Sequence, residues 1–436
     1  MAFFEFLSGI GDALSGKFMK IIGGRRPDGT ANAFSADTYG NIYTRLHRID
    51  TNSSLVDTLY RQRTSNQFII FQSSFLYGRD PDQWSQSLTG SATITHTLSQ
   101  AAVQMQCTTA SGDIAIRQTK RYMHHPHGNS LRIMITAIMG SLKSNVLQRI
   151  GYFDDNNGLY FEQDGFNLKV VYRTDAGGSV VNNTISQSSW NIDPMNGTGK
   201  SGVTLNTGNI QTFIIDINGA NNYTKMGFVI GSEIIYCHEF IHTNSLSTAV
   251  FGAIGLPIRL ELRNTGTVAS STSLMHFGAA AITEGQCPYD AGKIYAINTG
   301  QATSGRTVSS GSTVPILSVR PKISQNRSII IPRAFTVLPD RSDDFLIEVH
   351  IGGTLTGGAW VNASPIAEYN ASATSISDSH IIYAAYGNGP LNISLPTSSD
   401  TYVAADIDGN TEPVSIVARA IKSQGFYASL IWQEVY

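Results

Sequence analysis

Charged residues are scarce in this sequence. Only 14% of the 436 residues are Asp, Glu, Lys or Arg, and the formal net charge is −2. A chain this close to neutral creates no field that would attract nucleic acid or an anionic membrane, so neither is expected as a partner. The low charge does not indicate disorder, because 41% of the residues are hydrophobic and a disordered chain combines high net charge with few apolar residues.

Cysteine and long apolar runs are also lacking. Cys107, Cys237 and Cys287 are an odd number and too few for a disulfide framework, which indicates synthesis in a reducing compartment. No run reaches the roughly eighteen consecutive apolar residues of a transmembrane helix, so no membrane span is expected. The N-terminus carries Glu5 and Asp12 and has no basic segment. A secretory signal peptide is therefore not expected.

The first 24 residues carry a helical pattern. Apolar residues recur there at spacings of three and four, which predicts an amphipathic helix. Such a face needs a surface to lie against, and three remain open: its own protein or a sister subunit, a docking site in a larger assembly, or a membrane. Residues 23–66 are polar and begin with a predicted turn at Gly23-Gly24, so 1–66 is interpreted as an extended docking arm with helical pieces. The candidate docking residues are Phe3, Leu7, Ile10, Leu14, Phe18 and Ile21.

A meander of short strands is predicted in the middle of the chain. Asn157-Gly158 separates two alternating, aromatic-rich runs between Arg149 and Glu162, and Asp164-Gly165 separates the second run from a third. Asn-Gly and Asp-Gly tolerate the positive φ that tight hairpin turns require. Antiparallel hairpins are therefore expected at both places.

The same pattern extends over most of the chain. Runs rich in β-formers recur at intervals of about eight to twelve residues over 67–290, which is typical of an all-β sandwich or barrel. Residues 291–314 have the Gly/Ser/Thr-rich composition of a linker, and 315–436 contain a second, smaller set of strand patterns. The predicted fold class is all-β: a helical arm (1–66), a central antiparallel β-sandwich of the jelly-roll or lectin-like kind (67–290), a linker (291–314) and a smaller C-terminal β-sandwich (315–436).

One zinc-protease motif is present. His238-Glu239-Phe240-Ile241-His242 fits H-E-x-x-H, which places both imidazoles on one metal only when the motif is helical, with about 6 Å between them along the axis. The preceding residues 225–237 are patterned as a strand hairpin. A strand separates the two histidines by about 13 Å, too far for one Zn²⁺. A zinc site is therefore not predicted here.

Two further segments resemble metal sites. His124-His125-Pro126-His127 is expected to form an exposed loop, with metal binding on a trimer axis as the alternative. Asp154 to Gly158 contains the acidic and amide residues of a calcium loop, but its glycine comes one residue too early for Asp154 as the first ligand. A hairpin turn is the preferred interpretation of this segment. No metal and no cofactor are predicted.

Catalytic patterns are weak. No Gly-x-Ser-x-Gly elbow lies between a strand and a helix. Paired carboxylates could serve glycosidase chemistry, but the sequence alone places no two of them at the required separation. Core or interface packing is the preferred interpretation of the aromatic residues, with stacking on sugars as the alternative. The carboxylates are Glu162, Asp164, Glu239 and Glu261, and the aromatic residues are Tyr152, Tyr160 and Tyr172.

Several stretches form an ordered set of motifs: Ala115–Tyr122, Gln148–Glu162, Asn196–Gly202, Ile235–Phe240, Leu256–Arg259, Pro315–Arg320 and Ala428–Trp432. Together they resemble β-rich structural proteins of tailed-bacteriophage virions, especially those of cyanobacterial and other marine phages. The resemblance covers residues 67–436. It implies a virion component assembled in the host cytoplasm, which agrees with the free cysteines, and it supplies no catalytic residues.

The leading functional prediction is a non-enzymatic structural protein of a phage tail or tail fibre, docked through its N-terminal arm. Low charge and many small polar residues favour surfaces that pack against copies of themselves, so a homo-oligomer, a trimer, is expected. One alternative is a capsid decoration, head-fibre or minor capsid protein. Another is a glycan-binding receptor-recognition protein or depolymerase. The expected partners are copies of the chain, other virion proteins and, in the last case, a host-surface glycan.

Overall fold

The computed structural model describes residues 23–25, 31–33, 67–124, 130–218, 223–253, 255–284, 292–300, 305–395 and 401–435. The chain divides into two compact units, residues 1–65 and 66–436. In the first unit, β1 (Gly23–Arg25) pairs with the antiparallel β2 (Ala31–Ala33). Across the described residues, no helix is long and apolar enough to cross a membrane.

The predicted amphipathic helix falls almost wholly outside the described residues. The candidate docking residues Phe3, Leu7, Ile10, Leu14, Phe18 and Ile21 all belong to the part that is not described. At the end of the helical pattern, Gly23 and Gly24 lie in β1, where the sequence predicts a turn. Each glycine costs a helix about 1 kcal/mol relative to alanine, so two in succession favour another conformation.

Seventeen strands follow in the part of the second unit up to residue 284. Two short 3₁₀ helices, Leu98–Gln100 and Gln187–Ser189, interrupt them. The strands are β3 (Gln67–Ser74), β4 (Trp84–Thr89), β5 (Thr93–Thr97), β6 (Ala102–Cys107), β7 (Ile114–Thr119), β8 (Met123–His124), β9 (Ser130–Ile138), β10 (Val146–Phe153), β11 (Gly158–Asp164), β12 (Asn167–Thr174), β13 (Val181–Ser186), β14 (Gln211–Asn218), β15 (Tyr223–Ile230), β16 (Glu233–Ile241), β17 (Gly255–Leu256), β18 (Ile258–Asn264) and β19 (Thr272–Glu284).

These strands form a sandwich of two large antiparallel sheets. A seven-stranded sheet has the order β13-β12-β11-β10-β18-β7-β4. An eight-stranded sheet has the order β16-β15-β14-β9-β19-β6-β5, with β3 also paired to β19. The alternation of apolar residues sets which face is buried: in β9, Leu131, Ile133 and Ile135 point into the core and the residues between them do not.

Thirteen further strands complete the described part of the second unit. A 3₁₀ helix, Ile323–Gln325, lies among them. The strands are β20 (Lys293–Asn298), β21 (Arg306–Val308), β22 (Thr313–Pro321), β23 (Ile329–Pro339), β24 (Phe345–Ile351), β25 (Thr354–Thr356), β26 (Val361–Asn362), β27 (Ala367–Asn370), β28 (Ser375–Ser377), β29 (His380–Gly387), β30 (Leu391–Ser394), β31 (Val414–Ala420) and β32 (Gln424–Val435).

This C-terminal region is a second antiparallel sandwich with its own core. One sheet has the order β20-β32-β23-β30, with β21 also paired to β32, and the other has the order β26-β27-β22-β31-β24-β29. Phe335, Phe345 and Trp432 are fully buried in this core. The protein is therefore all-β over its described residues, as the strand periodicity predicts.

The segment 291–314 differs from the linker that its composition predicts. It contains β20 and β21, which both pair with β32, and the first two residues of β22. In β20, Tyr295 and Ile297 alternate with exposed residues and pack on the C-terminal core. Because glycine and serine are frequent near this short run, the average composition of the segment does not show the alternation that predicts a strand.

The two sandwiches contact each other through polar side chains. Arg327 Nη2 lies 2.8 Å from Asp154 Oδ2, and Lys120 Nζ lies 2.7 Å from Glu412 Oε1. The backbone N–H of Ile407 also donates a hydrogen bond to Ser85 Oγ at 3.0 Å. The side of the seven-stranded sheet that bears the hairpin turn after β10 is thus held against the C-terminal sandwich.

Candidate functional site

A row of alternating charges crosses four neighbouring strands of the seven-stranded sheet. Lys169 on β12 pairs in register with Glu162 on β11, Glu162 pairs with Arg149 on β10, and Arg149 pairs with Glu261 on β18. Residues directly opposite each other in an antiparallel sheet project from the same face. Because Ile150, Phe161 and Leu260 belong to the core and side chains alternate along a strand, the charged row occupies the opposite face.

Arg149 joins the two carboxylates of this row. Its Nε lies 2.8 Å from Glu162 Oε2, and its Nη1 lies 3.2 Å from Glu261 Oε2. Lys169 Nζ completes the row at 3.8 Å from Glu162 Oε1, and it lies 2.8 Å from Asp164 Oδ2. The row therefore connects β12, β11, β10 and β18 by ion pairs in addition to their backbone hydrogen bonds.

Glu261 is the most buried member of the row. Its side chain is 1% exposed, and Arg259 Nη2 and Arg263 Nε lie 2.6 and 3.0 Å from its carboxylate oxygens. Burial alone would raise the pKa of this carboxyl, but the charges of Arg259, Arg263 and Arg149 outweigh burial and lower the pKa below its usual value. Glu261 is therefore ionised at neutral pH and surrounded by guanidinium groups.

Tyr160 lies in the next register row on the same face, opposite Gly151. The guanidinium carbons of Arg149 and Arg173 lie 5.4 and 5.1 Å from its ring centroid, and the Phe153 ring lies 4.5 Å away. A Cβ at Gly151 would come within 2.6 Å of the Tyr160 backbone, so glycine is required for this packing. Burial raises the pKa of Tyr160 to about 12, which keeps the ring neutral between the two arginines.

The predicted hairpin of β10 and β11 is confirmed. The two strands pair antiparallel, and Phe153 opposite Gly158 is the pair nearest the turn. The turn differs from a two-residue Asn-Gly turn, because Asp154 Oδ1 accepts the backbone N–H groups of Asn156 and Asn157, each at 2.8 Å. Its other oxygen binds Arg327. The Asp154 carboxylate therefore organises the turn and the contact between the sandwiches, as expected of a hairpin rather than a calcium loop.

The structure brings together only some of the candidate carboxylates. Glu162 and Glu261 share Arg149, and Asp164 lies two residues beyond Glu162 on the same strand. Glu239 belongs to the eight-stranded sheet and accepts a hydrogen bond from Tyr223. Glycoside hydrolysis needs one carboxylic acid that holds a proton near neutral pH. Glu261 does not fill that role, because three arginines lower the pKa of its carboxyl.

The H-E-x-x-H motif lies on a strand, as predicted. His238 and Glu239 are in β16, and His242 follows the end of β16 at Ile241. The Phe240 ring lies between the two imidazoles, with centroid distances of 4.6 Å to His238 and 6.2 Å to His242. His238 Nδ1 accepts the backbone N–H of Asn191 at 3.2 Å, and burial lowers the pKa of both histidines. They are packed side chains of the sheet.

The second histidine cluster is only partly described. His124 lies in β8 opposite Gly255, and burial, with a smaller contribution from Arg121, lowers its pKa to about 4. His125 and His127 lie outside the described residues, so the predicted exposed loop and its metal-binding alternative stay predictions. Elsewhere in the described ranges, no three His, Cys, Asp or Glu residues are placed to hold a metal ion.

The three candidate sugar-stacking tyrosines are buried. Tyr152, Tyr160 and Tyr172 are each at most 6% exposed. Tyr152 packs in the central core, donates a hydrogen bond to the Met123 carbonyl, and accepts one from the Leu256 N–H at 3.1 Å. The preferred interpretation of core packing is correct, and these rings offer no surface to a sugar.

Sequence reasoning missed the arginines that organise this face. Arg259, Glu261 and Arg263 alternate with Leu260 and Leu262, a pattern that indicates three charges on one face of a strand. That local signal could have marked β18. The pairing of Glu261 with Arg149 could not be found in this way, since 112 residues separate them.

Comparisons with known proteins show likeness at the level of structure only. No protein-family model and no curated protein sequence matches the chain. An endo-1,3-beta-glucanase from Streptomyces sioyaensis is 8% identical with a TM-score of 0.34, covering 52% of this chain and 99% of its own. A glycoside hydrolase family protein from Mycobacterium thermorestibile is 10% identical with a TM-score of 0.34, covering 49% and 99%.

A legume lectin-like domain from Entamoeba histolytica is 10% identical with a TM-score of 0.29, covering 48% of this chain and 95% of its own. At such identities and TM-scores these likenesses carry no conclusion about activity or ligand. The prediction that this protein is not an enzyme therefore stays a prediction, as do its phage affiliation and its partners.

Proposed function

We propose that this protein is a non-enzymatic structural component of a tailed-bacteriophage virion, located in the tail or a tail fibre. The charged row of Lys169, Glu162, Arg149 and Glu261 is the observation that carries the non-enzymatic part. Its carboxylates are bound to basic side chains across neighbouring strands, which suits bracing of a sheet. The motifs that resemble phage structural proteins include this hairpin.

The surface of the C-terminal sandwich supports association with further protein. β29 is the edge strand of its sheet, and Tyr386 on it is 80% exposed, with Ile381 also exposed. The edge strand β20 of the other sheet exposes Ile294. Edge strands offer unpaired backbone N–H and C=O groups to another chain. These features support the proposed homo-oligomer, a trimer, and the contacts with other virion proteins.

The docking role of residues 1–66 is tested by truncation. Deleting residues 1–24 is expected to leave a folded β-protein that no longer joins the particle, because the apolar docking residues are removed. A matched pair of variants sharpens the test. Leu7→Asp with Leu14→Asp should abolish incorporation, whereas Ser8→Asp with Ser15→Asp introduces the same charges off the apolar pattern and should not. Normal incorporation of the truncated protein would rule out anchoring by this segment.

Two alternatives are separated by location and by activity. A capsid decoration or head-fibre protein would co-purify with isolated heads rather than isolated tails. A depolymerase would release reducing ends from host polysaccharide, and a receptor-binding protein would be retained on it. Presence on tails without release of reducing ends is the result that the proposed structural role predicts.

A further inference from the structure

A cavity of about 520 Å³ opens on the C-terminal sandwich. This volume falls within the range of about 300–1,000 Å³ that is usual for small-molecule sites. Its walls come from β22, from β25 and the turns on either side of it, from Asp378, and from residues 406–413, the loop that leads into β31. The cavity is separate from the charged row on the seven-stranded sheet.

An aromatic side chain forms one wall of the cavity. Trp360 is partly exposed, whereas Trp84, Trp190 and Trp432 are at most 5% exposed. The guanidinium carbon of Arg320 lies 4.0 Å from the Trp360 ring centroid. Arg320 Nε donates to Glu368 Oε1 at 2.8 Å, which holds the guanidinium in place. Its Nη atoms make no hydrogen bond within the described part of the chain, so they remain available to a ligand.

The remaining polar groups are held by the protein. Asp406 Oδ1 accepts the N–H groups of Asp408 and Asn410 at 3.0 and 2.8 Å, which fixes the loop. Glu412 Oε1 is held by Lys120 from the central sandwich. Asp378, at a left-handed backbone position with φ of 56°, makes no ion pair or hydrogen bond among the residues described. The cavity thus presents preformed donors and acceptors around one indole.

We propose that this cavity binds a neutral saccharide. A sugar hydroxyl both donates and accepts hydrogen bonds, so a bound saccharide can accept from the Arg320 guanidinium and donate to the Asp378 carboxylate. An apolar C–H face of the saccharide packs on the part of the Trp360 ring that Arg320 does not cover. Arg320 and Glu412 are each paired with an opposite charge, which leaves Asp378 and Asp406 to set a negative potential. That potential disfavours saccharides bearing carboxylate, sulfate or phosphate groups.

Tryptophan fluorescence of the full-length protein tests the site. The probes are tetrasaccharides of glucose, galactose, mannose and N-acetylglucosamine, with a uronic-acid tetrasaccharide as the anionic comparison. At least one neutral probe is expected to change the emission, and it should bind more tightly than the anionic probe. Because the other three tryptophans are buried, the change reports Trp360. Absence of binding by every neutral probe at millimolar concentration overturns the proposal, and so does preference for the anionic probe.

Substitutions test whether the saccharide binds in the cavity. The affinity of each variant is measured by calorimetry, which needs no fluorophore. Trp360→Ala is expected to weaken binding about tenfold or more, whereas Trp360→Phe, which keeps a ring, should lose less. Tyr77→Ala removes an exposed aromatic residue outside the cavity and should bind as the wild type does. Unchanged affinity of Trp360→Ala would place the saccharide elsewhere and overturn the proposal. Binding is measured on the isolated protein, so its failure leaves the proposed virion role standing.

Discussion

Arg149 and Glu162 stand thirteen residues apart in the sequence, yet Arg149 Nε lies 2.8 Å from Glu162 Oε2 across the hairpin of β10 and β11. Each residue also binds a charge outside the hairpin: Arg149 binds Glu261, and Glu162 is approached by Lys169. The turn of this hairpin therefore pairs the two central charges of a row of four, and the registers with β18 and β12 add the outer two. The row extends the hairpin into a braced, four-stranded part of the sheet.

Removal of Arg149 should destabilise the central sandwich. Arg149→Met leaves Glu162 without its closest cation and Glu261 with one guanidinium fewer, and breaking a buried ion pair costs about 3–5 kcal/mol. Lys422→Met is the control, because Lys422 is 74% exposed and its ion pair with Asp343 lies on the surface. Its loss is expected to leave the unfolding free energy nearly unchanged. Urea unfolding followed by circular dichroism measures both, and equal losses would contradict the bracing role of Arg149.

Gly151 should not tolerate a side chain. A Cβ there would lie 2.3 Å from the Leu159 carbonyl oxygen and 2.6 Å from Tyr160 Cα. Backbone atoms cannot move aside cheaply, so Gly151→Ala is expected to lose at least about 1–3 kcal/mol of unfolding free energy. At Gly177 nothing lies within 4 Å of an added Cβ, and Gly177→Ala should be close to neutral. A neutral Gly151→Ala variant would show that the Tyr160 packing is not required.

Acid should destabilise the protein through His276. This side chain is fully buried against Phe75 and Trp84, and burial, aided by Arg117, lowers its pKa well below 6.5. As the pH falls below 6.5, the unfolded chain binds a proton that the folded chain does not, so stability falls by up to about 1.4 kcal/mol per pH unit. His276→Phe keeps an aromatic ring and removes this dependence.

The pH prediction is checked by urea unfolding between pH 5 and pH 7.5. As the pH falls, the wild type should lose unfolding free energy faster than His276→Phe. The difference between the two should therefore change steadily in favour of the variant. The pKa values of His124, His238 and His242 are also lowered, so the variant keeps the acid sensitivity that these three histidines cause. A constant difference across this range would mean that His276 protonates as readily when folded as when unfolded.

Asp154 should stabilise the protein more through its hydrogen bonds within the turn than through its charge. Asp154→Asn keeps an oxygen acceptor for the Asn156 and Asn157 N–H groups but loses the charge that faces Arg327. Arg327 is 43% exposed, so that pair is worth less than about 1 kcal/mol. Asp154→Ala loses the acceptor as well and should cost about 1–3 kcal/mol. Thermal unfolding ranks the variants, and equal losses would assign the effect to the ion pair.

Most strands could be predicted from the sequence, and the failures have a common cause. β18 and β24 can be recognised because an apolar residue recurs at every second position over most of their length. β13 carries no such pattern. β13, Val-Asn-Asn-Thr-Ile-Ser, is an edge strand with mostly exposed side chains, so its sequence carries no alternation. Such strands are held by backbone pairing, which no local pattern reports.

The candidate sites depend even more on long-range pairing. The sequence identified Glu162 and Glu261 as separate carboxylates, but only the register of β10 with β18 places Arg149 between them. The saccharide cavity joins Arg320 to Thr411 and Trp360 from different strands and loops, and no spacing in the sequence relates them. By contrast, the strand assignment of His238 came from its neighbours alone and was correct.

The most direct test of the proposed structural role is to quantify this protein by mass spectrometry in purified phage particles from cells that carry its gene, with heads and tails separated beforehand. A structural role in the tail predicts a fixed number of copies for each particle, recovered with the tail fraction. Recovery of the protein in the free lysate, with none in washed particles, would contradict that role.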